Sequence, residues 1–469
     1  VDISTLNINS ATNDYLLSDN HTGTISSITF DVDSNFSSKN LINLGSSSST
    51  STTFSGEITI QSTDTSVELT KDLDIFSVTS YDTAETFPDV KLNSSTEFTL
   101  DSTTTEYNLF SNIIFEGTVN CVGSKFTRDT NANSNCNVTL KGDNKIFTDM
   151  TLESCGTLIL ENLSTNNTIT SFTNDSSPTI GLQIDSGSVD LNTVIIKNST
   201  DEFIKLNSHS GIINNITIDT NNIHDLSFID IASGVGTTFG DVFIKGDFQH
   251  SGTKSVLIDA NNDTGISIPD LLVKSGDTLT ISSDITLPSN LTVQNGGTIS
   301  VNDKTINKES FAVGNITINS ESSLTNTTFD SCGLIKLVNL DTNSTMSNLT
   351  LDSCTGMQVS GGSVDINTLT INSANGNYLI TDNNHTGTIS TLTFDVDSNF
   401  TSNKLIKLDT TSTTLSGDIS IISTDTSVEL NDNLVIFEVS NYNGTFPDVK
   451  LDSSTEFTLD STTTEYNLF

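Results

Sequence analysis

Tryptophan is absent from this 469-residue chain, and arginine occurs once, at Arg128. Proline (5), methionine (3) and cysteine (5) are nearly as rare. Each scarcity excludes something. Lys and Arg number 18 against 58 Asp and Glu, a formal net charge of −40, so the basic footprint of a general nucleic-acid binder is missing. The same imbalance disfavours electrostatic adhesion to anionic membranes. No apolar run approaches the roughly 18 residues of a spanning helix, so no membrane insertion is expected of this segment. No useful stretch repeats its apolar residues every 3.6 positions, so almost no helix is expected. With five cysteines, no C-x-x-C and no Cys/His cluster, a structural zinc site is not indicated.

What the chain has is repetition. FPDVKLNSSTEFTLDSTTTEYNLF at 87–110 returns at 446–469 with one change, Asn93 to Asp452. VDISTLNINSATNDYLLSDNHTGTIS opens the chain and its counterpart starts at Val364. A finer level divides this long period. SCGTLILENL at 154–163 matches SCGLIKLVNL at 331–340, and SGSVDLNTVII at 186–196 matches GGSVDINTLTI at 361–371. These offsets, close to half the long period, parse the chain into a partial unit 1–110 and repeat units 111–288 and 289–469. A long internal period is the signature of stacked units sharing one continuous core, and 1–469 reads as one such array, a window of a longer one.

The apolar residues alternate in short stretches: Leu6/Ile8, Ile28/Phe30, Ile58/Ile60, Val90/Leu92 and Phe98/Leu100, then Val194/Ile196 and Ile216/Ile218, then Leu369/Ile371, Leu392/Phe394, Ile419/Ile421 and Val449/Leu451. Alternation puts one face in the core and one in water, hence β-strand. The expected fold is all-β, a parallel β-helix (β-solenoid) of roughly 20–25 residues per turn. Stacked at about 4.8 Å per turn, it would make an elongated rod on the order of 80–100 Å. Phrases such as TTFDSCG at 327–333 and LTLDSC at 349–354 resemble right-handed parallel β-helix surface proteins, of the pectin-lyase-like and polymorphic outer-membrane-protein-like kind. The likeness is one of architecture, since the GGA[ILV] element of the latter family is absent.

Candidate chemistry is sparse. Asp31 and Asp33, with their copies Asp395 and Asp397, resemble the opening of a calcium loop without its glycine or closing glutamate. Two carboxylates on one strand face could share Ca²⁺ with a neighbouring turn; the plainer reading is an exposed acidic edge. His21 and His385 share a repeat position, which His209 matches only roughly, and all three read as surface turn residues. Cys332 and Cys354 are separated by close to one turn of chain, and so are Cys136 and Cys155, which makes both pairs candidate disulfides between stacked turns. About 18 N-x-S/T sequons occur, but 52 asparagines among so many Ser and Thr yield about that number by chance. Asn20, Asn384, Asn35, Asn399 and Asn443 are the glycosylation candidates. No catalytic residue and no cofactor is expected, because any site in 1–110 would be duplicated in 364–469. The functional expectation is a structural, extracellular or cell-surface repeat protein, the shaft of a fibre, filament or adhesin. Its partners would be further copies of itself or a cell-surface glycan. The alternative is a polysaccharide-binding or polysaccharide-cleaving β-helix, for which the usual aromatic sugar platforms are scarce.

Overall fold

The computed structural model describes residues 1–11, 13, 15–18, 22–34, 40–44, 51–69, 76–78, 87–93, 96–100, 106–129, 132, 136–176, 178–197, 199, 202–219, 223–224, 229–232, 236–239, 242–245, 247–250, 258–259, 271–273, 278–281, 285–287, 290–293, 298–302, 304–308, 315–319, 322–372, 378–382, 385–396, 404–409, 412–425, 427–430, 435–440, 444–451 and 456–459. Among them there is no helix; the fold is an all-β parallel solenoid of stacked strands. The chain forms two compact units. One comprises Val1–Asp219, Phe228–Gly240 and Ala260–Ser267, the other Thr220–Ser227, Asp241–Asp259 and Ile268–Phe469.

In the first unit, Leu6–Asn9, Ile28–Asp31, Ile58–Gln61, Val90–Leu92 and Ile113–Phe115 pair in parallel, each strand one turn beyond the last. Val138–Lys141, Leu158–Glu161, Leu182–Ile184, Ile204–Leu206 and Ile229–Ile231 continue the sheet. Register stacks like on like. Phe30, Ile60, Leu92, Phe115, Leu140, Leu160, Ile184 and Leu206 form one inward column, each 0% exposed. The intervening residues, such as Thr59 and Lys91, face outward. Burying a side chain of this size contributes about 1.5–3 kcal/mol, so the columns dominate the stability of a chain with few other apolar residues.

Turn length varies more than the sequence suggests. Val138 pairs with Leu158 one turn on, whereas Ile58 reaches Val90, a turn more than half as long again. The strands stay in register because the excess is confined to the connections. Corners are made by residues that tolerate a left-handed backbone: Asp149 (φ 55°), Asn326 (φ 48°) and Asn348 (φ 52°) each separate two short strands. Met150–Glu153 and Lys145–Thr148 flank Asp149, yet both pair with the single long strand Thr168–Asp175 of the next turn. Asparagines also ladder between turns. Asn112 Oδ1 accepts from Asn137 N–H (2.8 Å), and Asn137 Oδ1 from Thr157 N–H (2.8 Å). Asn290 and Asn315 repeat the device in the second unit, accepting from Asn315 N–H (2.9 Å) and Leu334 N–H (2.8 Å).

The second unit is built alike. Val273, Val293, Ile318, Leu337 and Val359 stack inward in register, followed by Thr381 and Leu408. Thr381 is 0% exposed, and its Oγ1 has no hydrogen-bond partner among the described residues. A buried, unpaired hydroxyl costs about 1–3 kcal/mol, and valine has nearly the same shape. Thr381→Val is therefore expected to stabilise the second unit by about 1 kcal/mol or more. Denaturant titration against wild type measures this, and a lowered midpoint would show the hydroxyl to be satisfied.

Candidate functional site: a repeated buried histidine clip

The most distinctive polar arrangement is one that occurs in both units. It begins at SGSVD (186–190) and GGSVD (361–365) and closes about one turn later at His209-Ser210-Gly211 and His385-Thr386-Gly387. His209 Nε2 lies 2.9 Å from the Val189 carbonyl oxygen and Nδ1 2.8 Å from Thr237 Oγ1. His385 repeats this with Val364 O and Thr413 Oγ1, both at 3.0 Å. A carbonyl only accepts, so the proton sits on Nε2, which donates to it; Nδ1 then accepts from the threonine hydroxyl. The adjacent aspartate completes the clip: Asp190 Oδ1 accepts from Ile212 N–H (2.8 Å) and Asp365 Oδ1 from Thr388 N–H (2.7 Å). Three successive turns are thereby tied through one ring.

Glycine makes room for the ring. A Cβ on Gly211 would lie 2.5 Å from Val189 O and 2.9 Å from His209 Nε2. On Gly387 the distances to Val364 O and His385 Nε2 are 1.9 and 2.9 Å. The strand approaches the preceding turn too closely for any side chain, and the histidine two positions earlier occupies the interior space instead. A third copy is partly visible: Thr24 N–H donates to Asp2 Oδ1 (2.9 Å), a Cβ on Gly23 would lie 2.4 Å from Val1 O, and Thr52 stacks on Gly23. His21 lies outside the described residues.

These histidines were expected at the surface, and the structure corrects that: His209 is 2% exposed and His385 0%. NHTGTIS looks like a polar turn, but its histidine folds inward under the glycine. Burial lowers the pKa of both rings, against the upward pull of the Val189 and Val364 carbonyls and of Asp190 and Asp365. An unfolded histidine takes up its proton near pH 6.5, as a model peptide does. The folded-state value is lower, so the contribution of the clip is complete above about 6.5 and declines as pH falls below it, where the unfolded chain binds protons the folded chain refuses. Glutamine can still donate to the valine carbonyl. The double variant His209→Gln, His385→Gln is expected to flatten the fall in stability between about pH 6.5 and 5. Parallel stability–pH curves for variant and wild type would remove the clip as an acid-sensitive element.

The interior also holds a residue that alternation in the sequence did not bring to notice. In KIFT (145–148) alternation places Lys145 on the side of Phe147, and Lys145 is 0% exposed. Its Nζ donates to the carbonyls of Asp143 (2.9 Å) and Glu116 (3.3 Å), and burial pulls its pKa down to about 8. Lysines elsewhere bridge acids on successive turns. Lys91 joins Glu116 (3.0 Å) and Glu57 (3.9 Å), Lys141 joins Glu161 (3.4 Å) and Glu116 (3.8 Å), and Lys125 joins Glu106 (3.3 Å) and Glu153. The few cations thus interrupt what would be stacked like charges.

Among the described residues the calcium candidates are not gathered into a cage. Asp31 stacks between the amides Asn9 and Gln61 rather than against another carboxylate. Asp395 lies between Asn372 and Ile422, and its Oδ1 accepts from Thr424 N–H (3.1 Å). Burial, with lesser repulsion from Asp425 and Asp352, raises its pKa. Asp33 follows the strand that carries Asp31, and Asp397 lies outside the described residues. Among the described residues no group of three or more His, Cys, Asp or Glu is arranged for a metal ion. The glycosylation candidates Asn20, Asn35, Asn384, Asn399 and Asn443 all lie outside the described residues.

All five cysteines are buried thiols. Cys332 and Cys354 each lie two residues beyond a paired aspartate, Asp330 and Asp352, of consecutive turns. Cys136 and Cys155 are offset by one position in the register, and Cys136 is among the groups that act on Cys155. Val138 pairs with Leu158, and that register puts Cys136 opposite Gly156, whose N–H donates to its carbonyl (2.9 Å). Compared with family models, curated proteins and solved structures, the chain matches none.

Proposed function

We propose that the chain is a structural repeat protein of the cell surface or extracellular space, forming the shaft of a fibre, filament or adhesin. The observation that carries this reading is the in-register continuation of inward columns through the described turns of each unit. An architecture in which each further turn repeats the last and adds about 4.8 Å is suited to setting a length. The asparagine ladders and histidine clips support it, because both join turn to turn and both recur in each unit. The acidic exterior suits a shaft that must not stick side by side to its neighbours. Its partners would be further copies of the same array or a cell-surface glycan.

Negative-stain imaging of variants carrying one and two extra repeat units tests this. Thin filaments that lengthen with each added unit are expected. Turnover of acidic polysaccharides by the isolated chain, without such filaments, would overturn the reading in favour of a polysaccharide-active β-helix. Melting with and without a chelator tests calcium separately, and an unchanged midpoint would remove it as a stabilising ion.

A further inference from the structure

We propose that Cys332 and Cys354 form a redox-closable staple between consecutive turns of the second unit, with a low-molecular-weight disulfide as the co-reactant. The two residues are in register. Asp330 pairs with Asp352, Ser331 N–H donates to the Asp352 carbonyl (2.7 Å), and Thr355 N–H donates to the Cys332 carbonyl (3.2 Å). Each cysteine follows a serine in the left-handed conformation, Ser331 at φ 54° and Ser353 at φ 55°, so the corner is turned the same way twice. Each thiol donates to a carbonyl one turn earlier, Cys332 to Ile306 (3.4 Å) and Cys354 to Phe329 (3.3 Å). The sulfurs thus occupy equivalent positions one turn apart. Neighbouring parallel strands lie about 4.8 Å apart, inside the roughly 4.4–6.8 Å Cα separation that a disulfide bridges.

The Cys332 thiol is placed to donate to a Cys354 thiolate, and this contact lowers the pKa of Cys354 despite its burial. Burial instead pushes Cys121 up to about 11 and Cys136 up to about 12. The thiolate is the nucleophile in exchange, so Cys354 is the attacking sulfur. Its thiolate attacks one sulfur of the small disulfide, forming a mixed disulfide and releasing one small thiolate. The Cys332 thiol then loses its proton and attacks Cys354 Sγ, releasing the second. The chain loses two protons and two electrons, and the small disulfide is reduced to two thiols. Cys332 is 3% exposed and Cys354 0%, so exchange proceeds through local opening or during folding. The proposal is independent of the fibre reading.

The test equilibrates the full chain in oxidised and reduced glutathione, one sample kept native and one refolded in the same buffer, then denatures, alkylates and weighs it. Three alkylated thiols instead of five are expected under oxidising conditions. A tryptic cross-link should join 309–336 to 337–404, because Lys336 lies between the two cysteines. Cys354→Ser should keep all four remaining thiols, and Cys332→Ser should lose at most one, to an unresolved glutathione adduct on Cys354, whereas Cys136→Ser should still lose two. Five alkylated thiols at every ratio in both samples would overturn the proposal. So would a loss of two that persists in Cys332→Ser, or a glutathione adduct that never resolves to the cross-link.

Discussion

Gly387→Ala is expected to open the second unit at its histidine clip and to cost more than about 3 kcal/mol, at the severe end for a single substitution. The added carbon would sit 1.9 Å from the Val364 carbonyl oxygen, and the next side-chain obstacle, His385 Nε2 at 2.9 Å, belongs to a ring already held at both nitrogens. Neither obstacle is a mobile chain end. The strand must move away from the preceding turn, which loses the Asp365–Thr388 hydrogen bond and exposes Ile389, now fully buried. Because each turn contacts mainly its neighbours, the opening should be local. Amide exchange is therefore the appropriate readout, with protection of Thr388, Thr414 and Ser416 collapsing first. Gly236→Ala is the control, since its nearest neighbour would be a Cβ at 3.6 Å. Equal protection in the two variants would show that the tight approach at Gly387 is not what holds this turn.

Phe115→Ala is expected to destabilise the first unit by about 3–5 kcal/mol, as removal of a fully buried ring does. Phe115 is 0% exposed and meets Phe147 edge-on at 5.9 Å and Phe126 at 6.3 Å between ring centres. It also sits between Leu92 and Leu140 in its column, so the cavity would be lined from the turns above and below. Ile114→Ala, at the adjacent position on the outward face, is expected to stay within about 0.5 kcal/mol. Denaturant titration of the pair checks both. A solenoid need not unfold in one step, so the transition should be followed by two probes before a single free energy is assigned. Similar losses at 114 and 115 would contradict the alternation on which the fold rests.

Much of the architecture was legible in the order of residues. The pairs Ile28/Phe30, Ile58/Ile60, Val90/Leu92, Leu369/Ile371 and Leu392/Phe394 all lie in strands with both members buried. A strand's alternation leaves little freedom, because a shift by a single position would put its aliphatic face in water. Val449/Leu451 is also a strand, but Leu451 is 46% exposed. The corners were less legible. Asp149, Asn326, Asn348, Ser154, Ser331 and Ser353 take left-handed backbones, and in a chain so rich in Ser, Asn and Asp nothing marks these six out from the rest.

Local sequence determined the strands, their inward faces and the recurrence of the whole pattern, since alternation and repetition act over short stretches of chain. Which side chains meet across turns was decided only by the tertiary structure. That depends on the length of every connection, and connections as unequal as those from Val138 to Leu158 and from Ile58 to Val90 move each contact along the chain without changing the alternation. For this reason Cys332 meets Cys354 while Cys136 meets Gly156, Lys145 is enclosed, and two histidines that read as surface residues are sealed beneath glycines.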